Sequence, residues 1–319
     1  MTQWLSHEMA NGLAFNAGST FDPPREVKGW ALQPDMSLGV GYIPFNKTNF
    51  PTLTTPALNE QGGSNIFPNA VNFPNLALHL RMGLPWRGDA YFRFADATTP
   101  PGYKISPTMT AQVQTNSYGF GLRQHFDLWN EDLPKVTLGA HYNHVRGRTR
   151  LKGAFNVNLE SYKSDSELKG EIDWNLNSFA LTAVAHKSYG VWTPFLGFGY
   201  NYASGSVRSK LELKSQTFLI PDILGESSAR PEKSQGRWIA GVQYARLRWG
   251  AFLNAEVKAL GQLQYRSWIA QFGVALPYEI GSGYKILYKK RAPGAAEPER
   301  RRAEPTKPEK AHPDLIFIQ

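Results

Sequence analysis

Residues 267–277 read SWIAQFGVALP. Taking every second residue from Trp268 collects Trp268, Ala270, Phe272, Val274 and Leu276. The interleaved set is Ser267, Ile269, Gln271, Gly273 and Ala275. One face is apolar and begins on an aromatic. The other is small or polar apart from Ile269. Successive side chains of a strand point to opposite faces, so a period of two means a strand with one apolar face. What that face meets, a protein core or lipid, decides the fold.

The same alternation recurs along the chain. Residues 30–42 place Trp30, Leu32, Met36, Leu38, Val40 and Tyr42 on one face. Residues 76–83, 136–143, 192–202 and 251–258 repeat the pattern, and 89–96, 110–126, 175–188 and 236–246 carry weaker versions. With 267–277 this makes ten expected strands. No stretch shows a helical stripe, so the chain reads as all-β and antiparallel. Three connections are tight (85–88, 188–191 and 247–250) and 127–134 is of medium length. The opposite end carries long ones at 44–74, 97–109, 149–173 and 214–235, with only 260–263 short. Short turns alternating with long loops fit an up-and-down barrel of the outer-membrane type. An even strand number puts both ends of the barrel, and by this reading both ends of the chain, on the short-turn side. A hairpin within 149–173 would raise the count, so the expected range is 10–14 strands.

The totals are compatible with this. The 319 residues contain 13% aromatics, 29 glycines and no cysteine, and the mean hydropathy is −0.41. No run approaches 18 apolar residues, which excludes a transmembrane helix. It does not exclude a barrel, where only alternate residues face lipid. The absence of cysteine removes disulfides and thiolate metal sites. The formal charge is +9. Of this, 285–319 contributes about +4, from nine Lys/Arg against five Asp/Glu. The excess is too modest for a nucleic-acid-binding protein. The N-terminus lacks a charged region followed by an apolar one, so an exported protein is expected here without its signal peptide.

The polar faces favour lipid over a soluble core. They carry Gly39, Gly41, Gly83, Gly119, Gly121, Gly139, Gly197, Gly199, Gly241 and Gly273. Glycine weakens a water-facing strand but suits a crowded, concave barrel interior. Trp30, Tyr42, Trp192, Tyr202, Trp238, Tyr244, Trp249 and Trp268 stand near strand ends, where a transmembrane barrel carries its interfacial aromatic girdles. The expected organisation is an N-terminal segment over 1–29, periplasmic or lumenal. A transmembrane barrel follows over 30–277, then a disordered, basic, Pro- and charge-rich tail over 278–319. The expected location is the bacterial outer membrane, with the lipid bilayer as principal partner.

Four segments carry a resemblance: YGFGLRQHF (118–126), LPKVTLGAHYNH (133–144), VWTPFLGFGYNYASG (191–205) and WIAGVQYARLRWGAFLNAEVK (238–258). With the closing strand, the chain resembles over roughly 12–277 a family of bacterial outer-membrane barrels, porin-like in kind, known as a domain of unknown function. The resemblance implies a barrel and brings no catalytic residues. Such barrels commonly end at the last strand, whereas about 40 residues follow here.

The lumen-facing candidates are Asp35, His79, Arg81, Asp89, Arg93, Arg123, His125, His141, Asn143, Glu256 and Lys258. They line either a charge-selective pore or a self-satisfied internal network, since ten strands leave little space beyond side chains. His79, His125 and His141 sit on different strands and are not expected to share a metal. No Gly-x-Ser-x-Gly elbow occurs, so no enzyme and no cofactor are expected. The tail ends in LIFIQ, whose Leu315, Ile316, Phe317 and Ile318 could add to a partner's sheet edge and tether another envelope protein.

Three functions remain open. A passive channel or small-solute transporter comes first, as the commonest use of the architecture. An anchoring component that binds partners through its tail or outer loops is the second. Hydrophobic-compound transport is the third, suggested by Phe45, Phe50, Phe67 and Phe73 in or beside the first long loop. A lateral gap between strands would favour it.

Overall fold

The computed structural model describes residues 1–19, 23–27, 29–52, 67–106, 109–128, 133–159, 162–215, 222–246, 249–262, 266–275, 278–279 and 285–286. A helix α1 (Thr2–Ala17) precedes twelve strands. These are β1 (Leu32–Pro44), β2 (Ala70–Leu84), β3 (Gly88–Thr98), β4 (Tyr103–Ser106), β5 (Met109–Phe126) and β6 (Lys135–Leu159). They continue as β7 (Tyr162–His186), β8 (Trp192–Ser215), β9 (Ile223–Ala229), β10 (Ser234–Arg246), β11 (Trp249–Leu260) and β12 (Trp268–Ala275). A two-residue pairing of Tyr278–Glu279 with Lys285–Ile286 follows.

Ten of the twelve close a ring. Each pairs antiparallel with its neighbour from β10 through β11, β12, β1, β2, β3, β5, β6 and β7 to β8. The ring shuts where Trp192–Tyr202 of β8 pairs with Ser234–Tyr244 of β10. β4 and β9 are additions on the long-loop side, β4 beside β5 and β9 beside the upper part of β8. The ten ring strands are those read from the alternation, and the apolar faces point outward. Leu38, Leu78, Phe92, Phe120, Leu181, Leu196, Leu253 and Phe272 are all exposed, whereas Ser37, His79, Arg123, Asn201, Asn254 and Gln271 are buried. An exposed apolar belt over a buried polar interior inverts the soluble pattern and identifies a barrel that stands in lipid.

Two features depart from the sequence expectations. The stretch 149–173 is not a loop with an extra hairpin. It continues β6 and β7 in unbroken register from Lys135↔His186 to Leu159↔Tyr162. Twenty-five residues at about 3.3 Å each reach ~80 Å, more than twice what a bilayer crossing needs. The continuation also alternates, but for water outside. Leu151, Leu168, Ile172, Val207, Leu211 and Leu213 face inward and are buried. Outside, Arg148 pairs with Asp173 at 2.6 Å and Glu171 at 3.0 Å, and Lys214 with Glu212 at 3.1 Å. A charged outer face hides the strand from any reading tuned to apolar belts.

The second departure is α1. Its Ala, Leu, Met and Glu residues are strong helix formers, and it contains no proline. Twelve of its sixteen residues are buried, including Ser6, Glu8 and Asn11. Only Gln3 and His7, near its first turn, are exposed, and a helix buried on nearly every face carries no apolar stripe to read. Trp4 packs on Phe45 and Phe67 at the long-loop mouth, and Phe15 lies under Arg237 lower in the barrel. The N-terminus of the described chain thus sits at the mouth, not on the short-turn side. Residues 1–19 run from the mouth down into the lumen, and 23–27 lie below them, before β1 begins. Glycines on both elements allow the close approach. A side chain at Gly12 would meet Ile43, and one at Gly41 would meet Asn16.

At the short-turn end, Arg87 adopts φ 61° in the β2–β3 turn. This left-handed conformation is costly for a long side chain. Its guanidinium is held by Asp127 at 2.5 Å and Glu26 at 3.3 Å. Arg87 and Lys135 keep the Asp127 carboxyl well below the usual carboxylate range.

Candidate functional site

The lumenal polar residues form two knots on opposite walls. On one wall, Arg123 grips Asp89 with two bonds, Nε to Oδ1 at 2.7 Å and Nη2 to Oδ2 at 2.9 Å. His125 joins Asp89 at 2.8 Å and Thr137 at 2.9 Å, and Thr137 reaches His186 at 3.2 Å. Arg81 Nε donates to Asp35 at 2.9 Å, with His79 3.4 Å from the same carboxylate. Tyr91 contacts His141, whose Nε2 lies 2.8 Å from Thr182. Asp89, His125 and Thr137 follow the order of an orienter, base and hydroxyl. All three are buried, with Arg123 on the carboxylate and His186 on the hydroxyl. Among the described residues, no group of three His, Asp or Glu could hold a metal ion.

On the opposite wall, Arg237 donates to Glu256 at 2.6 Å, to Asn201 at 2.6 Å and to the Phe15 carbonyl at 3.0 Å. Ser19 Oγ donates to the other Glu256 oxygen at 2.9 Å. Lys258 meets Glu232 at 3.2 Å. The knots share a purpose: their arginines end on carbonyls of the N-terminal segment. Arg123 and Arg81 donate to Pro23 O at 3.0 and 3.4 Å, and Arg81 also to Arg25 O at 3.2 Å. Arg93 donates to Ser19 O at 2.9 Å, and Asn143 to the same oxygen at 3.5 Å. These charges hold a plug. A buried charge is tolerated only when paired and hydrogen-bonded, and the segment below the helix supplies the missing acceptors. Sequence reading passed over Arg237, although it shares parity with Ile239, Gly241 and Gln243 on the inward face of β10.

The candidate site lies where the wall opens. β2 and β3 pair from Leu84↔Gly88 to Leu78↔Phe94 and no further. Above that point β2 stays on β1 up to Ala70, and β3 stays on β5 up to Thr98. The two strands diverge, leaving Ala70–Ala77 and Ala95–Thr98 without each other. Pro74 gives a local reason. Phe45 N–H donates to Asn69 O and Gly83 N–H to Ala31 O, so odd-numbered residues of β2 exchange hydrogen bonds with β1. Even-numbered ones face β3, and proline has no N–H to offer there.

A cavity of about 60 Å³ fills this interval. Its inner wall is Leu13, Asn16 and Ala17 of α1. Small residues of β3 and β5 (Ala95, Ala97, Thr115, Ser117) leave the room, and Phe73, Arg93, Asn143, Val145 and Trp174 complete it. Pro74 and Leu76, which stand on the outer side of β2, also line it, and Asn75 beside them accepts from Arg93 of β3 at 3.0 Å. A second, smaller cavity lies toward the mouth, among Leu5, Met9, Phe45, Phe67, Met109, Leu151 and Ile172. Phe73 lines both and separates them. Trp4 gathers the aromatics above, with Phe45 at 5.5 Å, Phe50 at 4.9 Å and Phe67 at 5.7 Å between ring centroids. The four phenylalanines of the first long loop and its flank therefore all stand over or beside these cavities.

The girdle residues fall in two bands. Tyr42 stacks on Trp268 at 5.3 Å on the long-loop side, where Trp238 and Tyr202 also stand exposed. Trp192, Tyr244 and Trp249 form a contiguous row at 4.8 and 5.2 Å on the short-turn side, the end that also carries Trp30. Leu315, Ile316, Phe317 and Ile318 lie outside the described residues.

Three solved barrels are similar to this chain. The translocator domain of the autotransporter NalP from Neisseria meningitidis has 10% identity and a TM-score of 0.34, covering 78% of this chain and 89% of that one. A Pseudomonas aeruginosa FadL homologue has 9% identity and a TM-score of 0.32, covering 85% and 98%. LpxR from Salmonella typhimurium has 10% identity and a TM-score of 0.27, covering 76% and 99%. No curated protein sequence matches the chain significantly. One family matches residues 46–245, from the first long loop through β10 and so across more than half of the sequence: the chain belongs to the family of unknown function DUF6588.

Proposed function

We propose that this outer-membrane barrel passes small hydrophobic molecules from its outer mouth sideways into the membrane, through the interval between β2 and β3. The observation that carries the reading is the divergence of these strands beside a cavity lined both by α1 and by outer-side residues of β2. An apolar cluster above it offers an entry, with Phe73 between the two. An aqueous solute path fits less well, because α1 and its ion pairs occupy the lumen among the described residues. Sideways release needs no water-filled bore, since the solute leaves for lipid.

Ala97→Trp tests this. Ala97 lines the cavity at the strand gap, and an indole there overfills it. The assay uses vesicles with a lipopolysaccharide outer leaflet and the dye N-phenyl-1-naphthylamine, which fluoresces on reaching the bilayer interior. The unaltered protein is expected to accelerate dye entry. The variant should lose roughly tenfold or more of that gain, since no free volume remains, while keeping its heat-modifiable folded band. Dye entry equal in both proteins would sink the lateral route.

A further inference from the structure

The lateral cavity is not uniformly apolar. Trp174 lines it with its side chain buried, and its Nε1 finds no acceptor among the described residues. The Asn16 amide, on the helix side of the same cavity, is buried with neither atom hydrogen-bonded among them. A buried indole N–H normally finds a partner, and leaving one unmade costs free energy. The indole is also firmly seated. Gly147 lies beneath it, where any side chain would run into the ring, and Phe73 packs edge-on at 6.1 Å. The indole thus lines the cavity with its N–H unpartnered among the described residues.

Resting on the lateral-passage reading, we infer that the cavity is a binding site for small amphipathic molecules: an apolar body bearing one hydrogen-bond acceptor, such as a ketone or ester carbonyl, received by Trp174 Nε1–H, with the Asn16 amide on the helix side of the same cavity. The cavity of about 60 Å³ is below the roughly 150 Å³ that takes up a whole benzene. It therefore holds the polar end of the molecule, and the remainder lies in the opening between β2 and β3.

The test compares acetophenone with ethylbenzene, which match in shape and differ in the acceptor. Binding to the full chain in detergent is read by equilibrium dialysis against protein-free micelles. The indole ¹⁵N–H resonances are followed in parallel. Acetophenone should bind roughly threefold to tenfold more tightly, the range expected of one buried hydrogen bond. Trp174→Phe should abolish that ratio and leave ethylbenzene unchanged. One indole resonance, absent from the variant, should move with acetophenone only. If Trp174→Phe does not refold, Asn16→Ala serves instead and should reduce the ratio. Equal binding of both compounds by the unaltered protein, or equal weakening of both by Trp174→Phe, would overturn the acceptor site and leave lateral passage standing. Binding of neither would overturn both.

Discussion

A chain lacking residues 1–27 is expected to conduct ions steadily in planar bilayers, whereas the full chain is expected to be silent. The reason is the occupancy of the lumen. α1 is buried along almost its whole length, and the segment after it takes hydrogen bonds from Arg81, Arg93 and Arg123. Without this strand of carbonyls those guanidiniums must be met by water, so the bore hydrates. Among the described residues, the buried charges left on the wall are Arg81, Arg93, Arg123, Arg237 and Lys258 against Asp35, Asp89 and Glu256. The excess of cations should make the opened channel prefer anions, as rings of Arg and Lys do in selective pores. Reversal potentials under a salt gradient read this directly. A folded, truncated barrel that stays silent would show that the wall side chains close the lumen unaided. Conductance by the full chain would show that α1 leaves its place readily, and an aqueous path would then compete with the lateral one.

Arg237→Met should lower stability by about 3–5 kcal/mol, the usual result of stripping one partner from a buried ion pair. Glu256 is fully buried, and Arg237 is its charge partner at 2.6 Å. The same guanidinium holds the Phe15 carbonyl and lies 4.7 Å from the Phe15 ring centroid, so its loss also loosens the plug. Urea unfolding in lipid vesicles, followed by tryptophan fluorescence, measures the change. The double variant Arg237→Met with Glu256→Leu should recover most of it, because an apolar pair in place of a buried ion pair is often neutral or better. Recovery would assign the cost to the orphaned carboxylate. A single variant as stable as the parent would mean that water reaches Glu256, and that the knot does not seal this side of the lumen.

The alternation in SWIAQFGVALP and its nine counterparts was enough for the barrel: ten strands, their faces, and the end that bears the short turns. A strand's period is a local property. Lipid outside and a crowded lumen inside leave opposite compositions on alternate residues, so Phe272 and Gln271 can be assigned from their neighbours alone. Pro74 also carries a local mark of the strand gap, for a proline in a strand cannot serve a partner on both sides. What fills the barrel was not legible. α1 has no stripe because the wall surrounds it, and its fit depends on Gly41, Ile43, Asn201 and Arg237, which lie far away in sequence. The cavity at the gap depends on the same kind of meeting. Trp174, Asn16, Phe73 and Ala97 come from β7, α1, β2 and β3, and no spacing along the chain relates them. Sequence by itself determined the membrane-spanning part of the wall, because each strand there answers to the medium on its two faces. Only the tertiary structure decided what the wall encloses and where it opens, because those depend on which distant side chains reach the same point in space.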